Sequence, residues 1–116
     1  MTILLAEDDE SIAAVVTIVL SESGHEVLVA SDKKSFHDNL LKIPQLILLD
    51  LSLNGTKGDV LAGELKKDPL YADIPLIMVS ANNDTKKIAE KCGADGFLLK
   101  PFDLDELDLI VSKYLP

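Results

Sequence analysis

Two short runs in this chain are apolar at every position: Leu46–Leu49 (LILL) and the strand-like Pro75–Ser80 (PLIMVS) up to its final serine. Strand side chains alternate between faces, so a strand with no polar position is buried on both. Parallel sheets are covered on both faces by their crossover helices, so such strands suit a parallel sheet. The rest of the chain fits that demand. Ile3–Ala6, Glu26–Ala30 and Gly96–Leu99 read as three further strands, and segments of helical period separate all five. Ser11–Leu20 places Ile12, Val15, Val16, Val19 and Leu20 at i, i+3, i+4, i+7 and i+8, one buried face of a helix. Asp32 is set to cap a helix carrying Phe36, Leu40 and Leu41, and Pro44 stops it. Gly55 and Gly58 bracket a loop. Asp59–Lys67 reads as helix up to Pro69, and Asp84–Lys91 as another, with Gly93 suited to the left-handed position beyond its end. Asp103-Leu-Asp-Glu106 resembles a capping box, opening a last helix with Leu104, Leu107, Val111 and Tyr114 inward. The expected fold class is α/β: a (βα)5 doubly wound, parallel five-stranded sheet with strand order 2-1-3-4-5.

The 116 residues suit one domain spanning 1–116, with no linker, repeat or low-complexity tract and no output domain after it. Charge narrows the function. Twenty Asp and Glu face 11 Lys, with no Arg, for a net charge of −9. Nucleic-acid binders draw most of their affinity from cations set against phosphates, so direct DNA or RNA binding is not expected, nor is attachment to an anionic membrane. The longest uncharged stretch, Ser11–Ser21, is far short of the ~20 residues that span a bilayer. The acidic N-terminus does not read as a secretory signal. The single cysteine, Cys92, fits a reducing compartment, and a cytoplasmic location is expected. It reads as core packing beside Ala89. His25 and His37 have no ligand partner at useful spacing.

In open parallel sheets, ligands bind beyond the carboxyl ends of the strands, where strand order reverses. Glu7-Asp8-Asp9 follows the first strand, Asp50 ends the third, Ser80 the fourth, and Lys100-Pro101 follows the fifth. Each has a modest explanation. The acidic triplet can cap a helix and favour its dipole; Asp50 can open a loop; Ser80 can serve a turn; Lys100 can be solvated surface. Joint placement at one crevice points to chemistry. Clustered carboxylates stay ionised only beside cations, and hard oxygen donors at a water-accessible site suit Mg2+. A carboxylate can be the nucleophile in phosphoryl transfer, while a lysine and a hydroxyl hold phosphate oxygens.

The segments ILLAEDDESI, LILLDLSLNG, IPLIMVSA and GADGFLLKPF, in that order and spacing, resemble the receiver domain of bacterial two-component response regulators, in particular the stand-alone chemotaxis type. The resemblance covers essentially the whole chain and implies a flavodoxin-like fold. It implies that Asp50 is the phosphoacceptor, with Ser80 and Lys100 completing the catalytic set. It implies a Mg2+ site made by Glu7 acting through water, Asp8, Asp50 and the backbone carbonyl of Ser52, with Asp9 left to the helix start. Ser80 and Phe97 resemble the switch pair, and Pro101 the proline after a cis bond. The implied partners are a sensor histidine kinase or histidine phosphotransfer protein, and a downstream protein docking on the face of the fourth helix, fifth strand and fifth helix. The domain would promote its own phosphorylation and dephosphorylation without being a turnover enzyme.

Some positions depart from the family pattern. Asn54 stands where proline is common, Thr56-Lys57 where Met-Asp is frequent, and Phe97 lacks the tyrosine hydroxyl of many relatives. Three other readings stand beside this one. A small phosphatase of the haloacid dehalogenase kind needs D-x-D-x-[TV] after the first strand, where this chain has Glu7-Asp8-Asp9-Glu10. A flavin-carrying flavodoxin needs a phosphate-cradling loop there. A receiver-like domain could be regulated without phosphorylation.

Overall fold

The structure, a computed structural model, describes residues 1–115. Five parallel strands form one sheet: β1 (Thr2–Ala6), β2 (Glu26–Ala30), β3 (Leu46–Asp50), β6 (Leu76–Ser80) and β7 (Gly96–Leu99), in the order β2-β1-β3-β6-β7. The two missing numbers belong to a short antiparallel ribbon, β4 (Ser52–Leu53) and β5 (Thr56–Lys57). Counting only the main sheet, the order is the expected 2-1-3-4-5. The helices are α1 (Glu10–Glu22), α2 (Lys33–Leu40), α3 (Gly58–Lys66), α4 (Thr85–Cys92) and α5 (Leu104–Tyr114).

Strand alternation sorts the core into two layers. Leu4, Ala6, Ile47, Leu49, Leu76 and Met78 face one side and pack with Phe36 and Leu40 of α2, Leu61 and Leu65 of α3, and Ala89 of α4. Ile3, Leu5, Leu46, Leu48, Ile77 and Val79 face the other, under Val16 and Leu20 of α1 and Leu107 and Val111 of α5. β3 and β6 are buried along their whole length, as apolar strands covered on both faces must be.

Local chemistry sets the helix ends. The Asp9 carboxylate accepts from the Ser11 and Ile12 N–H groups and caps α1, the role expected of it. Asp32 and Ser35 form a reciprocal capping box on α2. Asp103 caps α5 by accepting from the Glu106 N–H. Gly93 closes α4 at φ 85°, in the left-handed region.

Four local expectations are corrected. Val15 is 52% exposed, because the buried stripe of α1 runs through Ala13, Val16 and Leu20. Leu104 is 48% exposed, because α5 turns Leu107 and Val111 inward while Phe102 packs against that core ahead of the helix and Leu115 behind it. Leu41 lies beyond the last buried turn of α2, exposed at its C-cap. The segment between Asp50 and α3 is the β4–β5 ribbon, not a plain loop. Among the described residues, no helix is long and apolar enough to cross a membrane.

Candidate functional site

The order β2-β1-β3 places the reversal between β1 and β3. Glu7 and Asp8 leave the end of β1 there, and Asp50 ends β3 beside them. One carboxylate oxygen from each of Glu7, Asp8 and Asp50 lies within 4.8 Å of the others. Glu7 and Asp50 are buried, whereas Asp8 is exposed at the mouth. Lys100 reaches in from the end of β7. Its Nζ lies 2.7 Å from Glu7 Oε1 and 3.0 Å from Asp50 Oδ2, with the side chain 19% exposed. The Lys100–Pro101 peptide is cis, as the resemblance implied.

Backbone donors fix three further oxygens. The Ser52 N–H donates to Asp50 Oδ1 at 3.1 Å, and the Asp9 N–H to Glu7 Oε2 at 3.2 Å. The Asn54 N–H donates to Asp8 Oδ2 at 2.7 Å. Ser80 ends β6, next to β3 in the sheet. Its hydroxyl accepts from the Asn82 N–H at 3.0 Å, and its carbonyl accepts from the Lys100 N–H at 2.8 Å. The backbone of Ser80 therefore ties β6 to the residue carrying the ammonium.

Gly58 shapes the pocket from behind. Its N–H donates to the Leu51 carbonyl at 2.7 Å, and a Cβ there would overlap the Asp50 carbonyl oxygen. Only glycine lets the start of α3 approach β3 this closely. Phe97 stands apart from the charged cluster. It lies opposite Met78 on β7, half-buried against the core layer of α2, α3 and α4.

The electrostatics follow from burial. Loss of hydration pushes the Glu7 carboxyl up to about 7, a hydrogen bond shared with Asp50 and its charge push the same way, and Lys100 pulls against them. For Lys100, burial favours the neutral amine, but pairing with Glu7 and Asp50 outweighs it and holds the ammonium above its ordinary range. The pocket thus holds more negative charge than one lysine balances. Three hard oxygen donors, one of them on an exposed residue, suit a divalent cation that keeps several waters, so the residues present fit Mg2+.

The sequence-predicted residues Glu7, Asp8, Asp50 and Lys100 therefore meet in one crevice. Ser52 and Ser80 border it, whereas Phe97 lies farther along β7. What the sequence reading missed is the Asn54 N–H on Asp8. The Asn54-Gly55 pair was the available signal, since that dipeptide favours a tight hairpin.

Comparison with known proteins agrees with this geometry. The family described as response regulator receiver domain matches residues 3–112. The phosphate regulon transcriptional regulatory protein PhoB of Pseudomonas aeruginosa is 39% identical over 109 residues, which is 91% of this chain and 48% of that protein. The chain spans about half the length of the curated relatives it matches. Among solved structures, the receiver domain of NtrX from Brucella abortus is 33% identical with a TM-score of 0.88, covering 97% of both chains. A response regulator from Chloroflexus aurantiacus superposes with a TM-score of 0.91 at 28% identity, over 98% of this chain and 96% of that one. With the family match extending from β1 into α5 and the acidic crevice lying at the strand reversal, this chain belongs to the response regulator receiver domain family.

Proposed function

We propose that this receiver domain accepts a phosphoryl group on Asp50 from the phosphohistidine of a sensor kinase or phosphotransfer protein. The observation that carries the proposal is the Lys100 ammonium lying between the Glu7 and Asp50 carboxylates at the strand reversal. An Asp50 carboxylate oxygen attacks phosphorus, the P–N bond to the donor imidazole breaks, and its electron pair returns to the ring nitrogen. Lys100 can follow the transferred charge by moving from Asp50 Oδ2 to a phosphoryl oxygen. The Ser52 N–H holds Asp50 Oδ1, which leaves Oδ2 as the nucleophile once the lysine shifts. Ser80 would turn its hydroxyl from the Asn82 N–H to donate to the phosphoryl group. Glu7, Asp8, Asp50 and the Ser52 carbonyl would hold Mg2+, which supplies positive charge to offset that of the phosphoryl oxygens.

Phe97 would repack toward the space Ser80 leaves, altering the face of α4, β7 and α5 on which a downstream protein docks. The excess of carboxylates over lysines supports signalling through protein contact and disfavours nucleic-acid contact by these residues. The chain would promote its own phosphorylation and hydrolysis without turning over a separate substrate, and would work in the cytoplasm as a single 1–116 domain. Incubation with acetyl phosphate and Mg2+, followed by intact-mass measurement, tests this. Wild type should gain one phosphoryl mass and Asp50→Asn none. Stoichiometric gain by that variant would overturn the assignment.

A further inference from the structure

Asn54 and Gly55 form the two-residue tip of the β4–β5 ribbon, with φ of 48° and 82°. Positive φ at both central positions is the type I′ turn, which Asn-Gly favours because both residues tolerate the left-handed region. The pair Leu53 and Thr56 closes the ribbon, and Leu53 is fully buried in the core layer shared with α2 and α3. The tip therefore stands on a fixed base. In a hairpin of this kind the ladder bonds belong to the flanking residues, so the Asn54 N–H is free to donate elsewhere. It donates to Asp8 Oδ2 at 2.7 Å, across 46 positions of sequence. A carboxylate acceptor makes that bond charge-assisted.

We propose that the Asn54-Gly55 turn is a positioning device for Asp8. It takes one carboxylate oxygen and so directs the other toward Glu7 and Asp50. The inference rests on reading that pocket as the Mg2+ site. Asp8 is exposed, so without a restraint its side chain would sample several rotamers and lose that freedom on closing around a cation. A backbone donor on an anchored turn removes the loss in advance, as partners behind metal ligands commonly do. Proline, common at this position in the family, has no N–H and holds φ near −65°, so it could supply neither the donor nor the turn. The coupling is reciprocal: a turn that helps Mg2+ bind must itself be steadied by Mg2+.

The test uses the 15N-labelled full chain titrated with Mg2+ alone, followed through pocket amide shifts. Asn54→Gly keeps the N–H and the positive φ and should bind within about twofold of wild type. Asn54→Pro should bind about ten- to a hundredfold more weakly, the range for losing a hydrogen-bond partner behind a metal ligand. Hydrogen exchange gives a second readout. The Asn54 amide should exchange more slowly with saturating Mg2+, and at least about tenfold faster in Asp8→Ala than in wild type, because its acceptor is gone. Should Asn54→Pro fail to fold, that exchange comparison decides. Wild-type affinity in a folded Asn54→Pro, or equal exchange in wild type and Asp8→Ala, overturns the positioning role alone. No Mg2+ binding by wild type overturns the pocket reading and this inference with it.

Discussion

Glu7→Gln should make the metal-free protein more resistant to alkaline pH. The folded state holds the Glu7 carboxyl at about 7, against about 4.5 unfolded, because burial and the adjacent Asp50 oppose its charge. A folded-state value above the unfolded one means the native protein binds the proton more tightly. Its contribution is fully present below pH ~4.5 and is lost as pH rises through ~7. The full difference corresponds to about 3 kcal/mol, most of which, about 2–3 kcal/mol, falls between pH 5 and pH 8. Little solvent discount applies, because the Glu7 side chain is only 3% exposed. Gln cannot ionise, so the gap between variant and wild type should move by about 2–3 kcal/mol over the interval, in favour of the variant at high pH. The chain has no Trp, so urea unfolding is best followed by far-UV circular dichroism, in EDTA, at several pH values. Mg2+ at pH 8 should restore wild-type stability and leave Glu7→Gln less affected, because a ligand stabilises whichever folded state binds it. Parallel stability curves for the two proteins between pH 5 and 8 would refute the claim that burial holds Glu7 near neutrality.

Two further outcomes rest on backbone geometry. Gly58→Ala should cost about 2–3 kcal/mol in urea unfolding and slow phosphorylation by acetyl phosphate, because its Cβ meets the Asp50 backbone and not a flexible side chain; a loss under about 0.5 kcal/mol would show that α3 yields freely. Ile43, a β-branched residue at φ 50°, sits in the left-handed region, so Ile43→Gly should raise stability by about 1 kcal/mol, read as the shift in urea midpoint. A lowered midpoint would mean that the packing of this half-exposed side chain outweighs its backbone strain.

Much of the architecture was legible because strand alternation and chain order carry it. The runs Leu46–Leu49 and Leu76–Val79 name the central strands, and the residues at the carboxyl ends of four of the five strands name the crevice. Helix faces were harder to read where nearly every residue is apolar. α1 carries ESIAAVVTIVLSE, so Val15 satisfies the same periodic rule as Val16 and composition cannot say which faces the sheet. Contacts between distant positions were not legible. Lys66 Nζ donates to the Ala72 and Ile74 carbonyls and to Asp95 Oδ2, tying the end of α3 to the start of β7. Asp95 also accepts from the Leu76 N–H. From sequence Lys66 is one surface lysine among eleven. The Asn54 bond to Asp8 is of the same kind, although its turn was announced by the dipeptide.

A well-packed fold here carries an unbalanced pocket, and the imbalance bears directly on the proposed chemistry. With all three carboxylates ionised, Lys100 compensates one and two charges remain. The protein can reduce that surplus by keeping a proton on Glu7, at the expense of the pocket's charge, or by taking up a divalent cation that cancels both. Converting Asp50 to an acyl phosphate adds roughly one further negative charge at neutral pH, since a carboxylate is replaced by a phosphoryl group carrying nearly two. Without a cation that step would load the most crowded part of the molecule; with one, the net change falls within what Lys100 and a backbone donor can meet. Cation uptake and phosphorylation should therefore favour one another, and the proton on Glu7 should oppose both. On the proposed reading, the carboxylates whose crowding raises Glu7 are the same groups whose charge calls for the cation that the transfer to Asp50 needs.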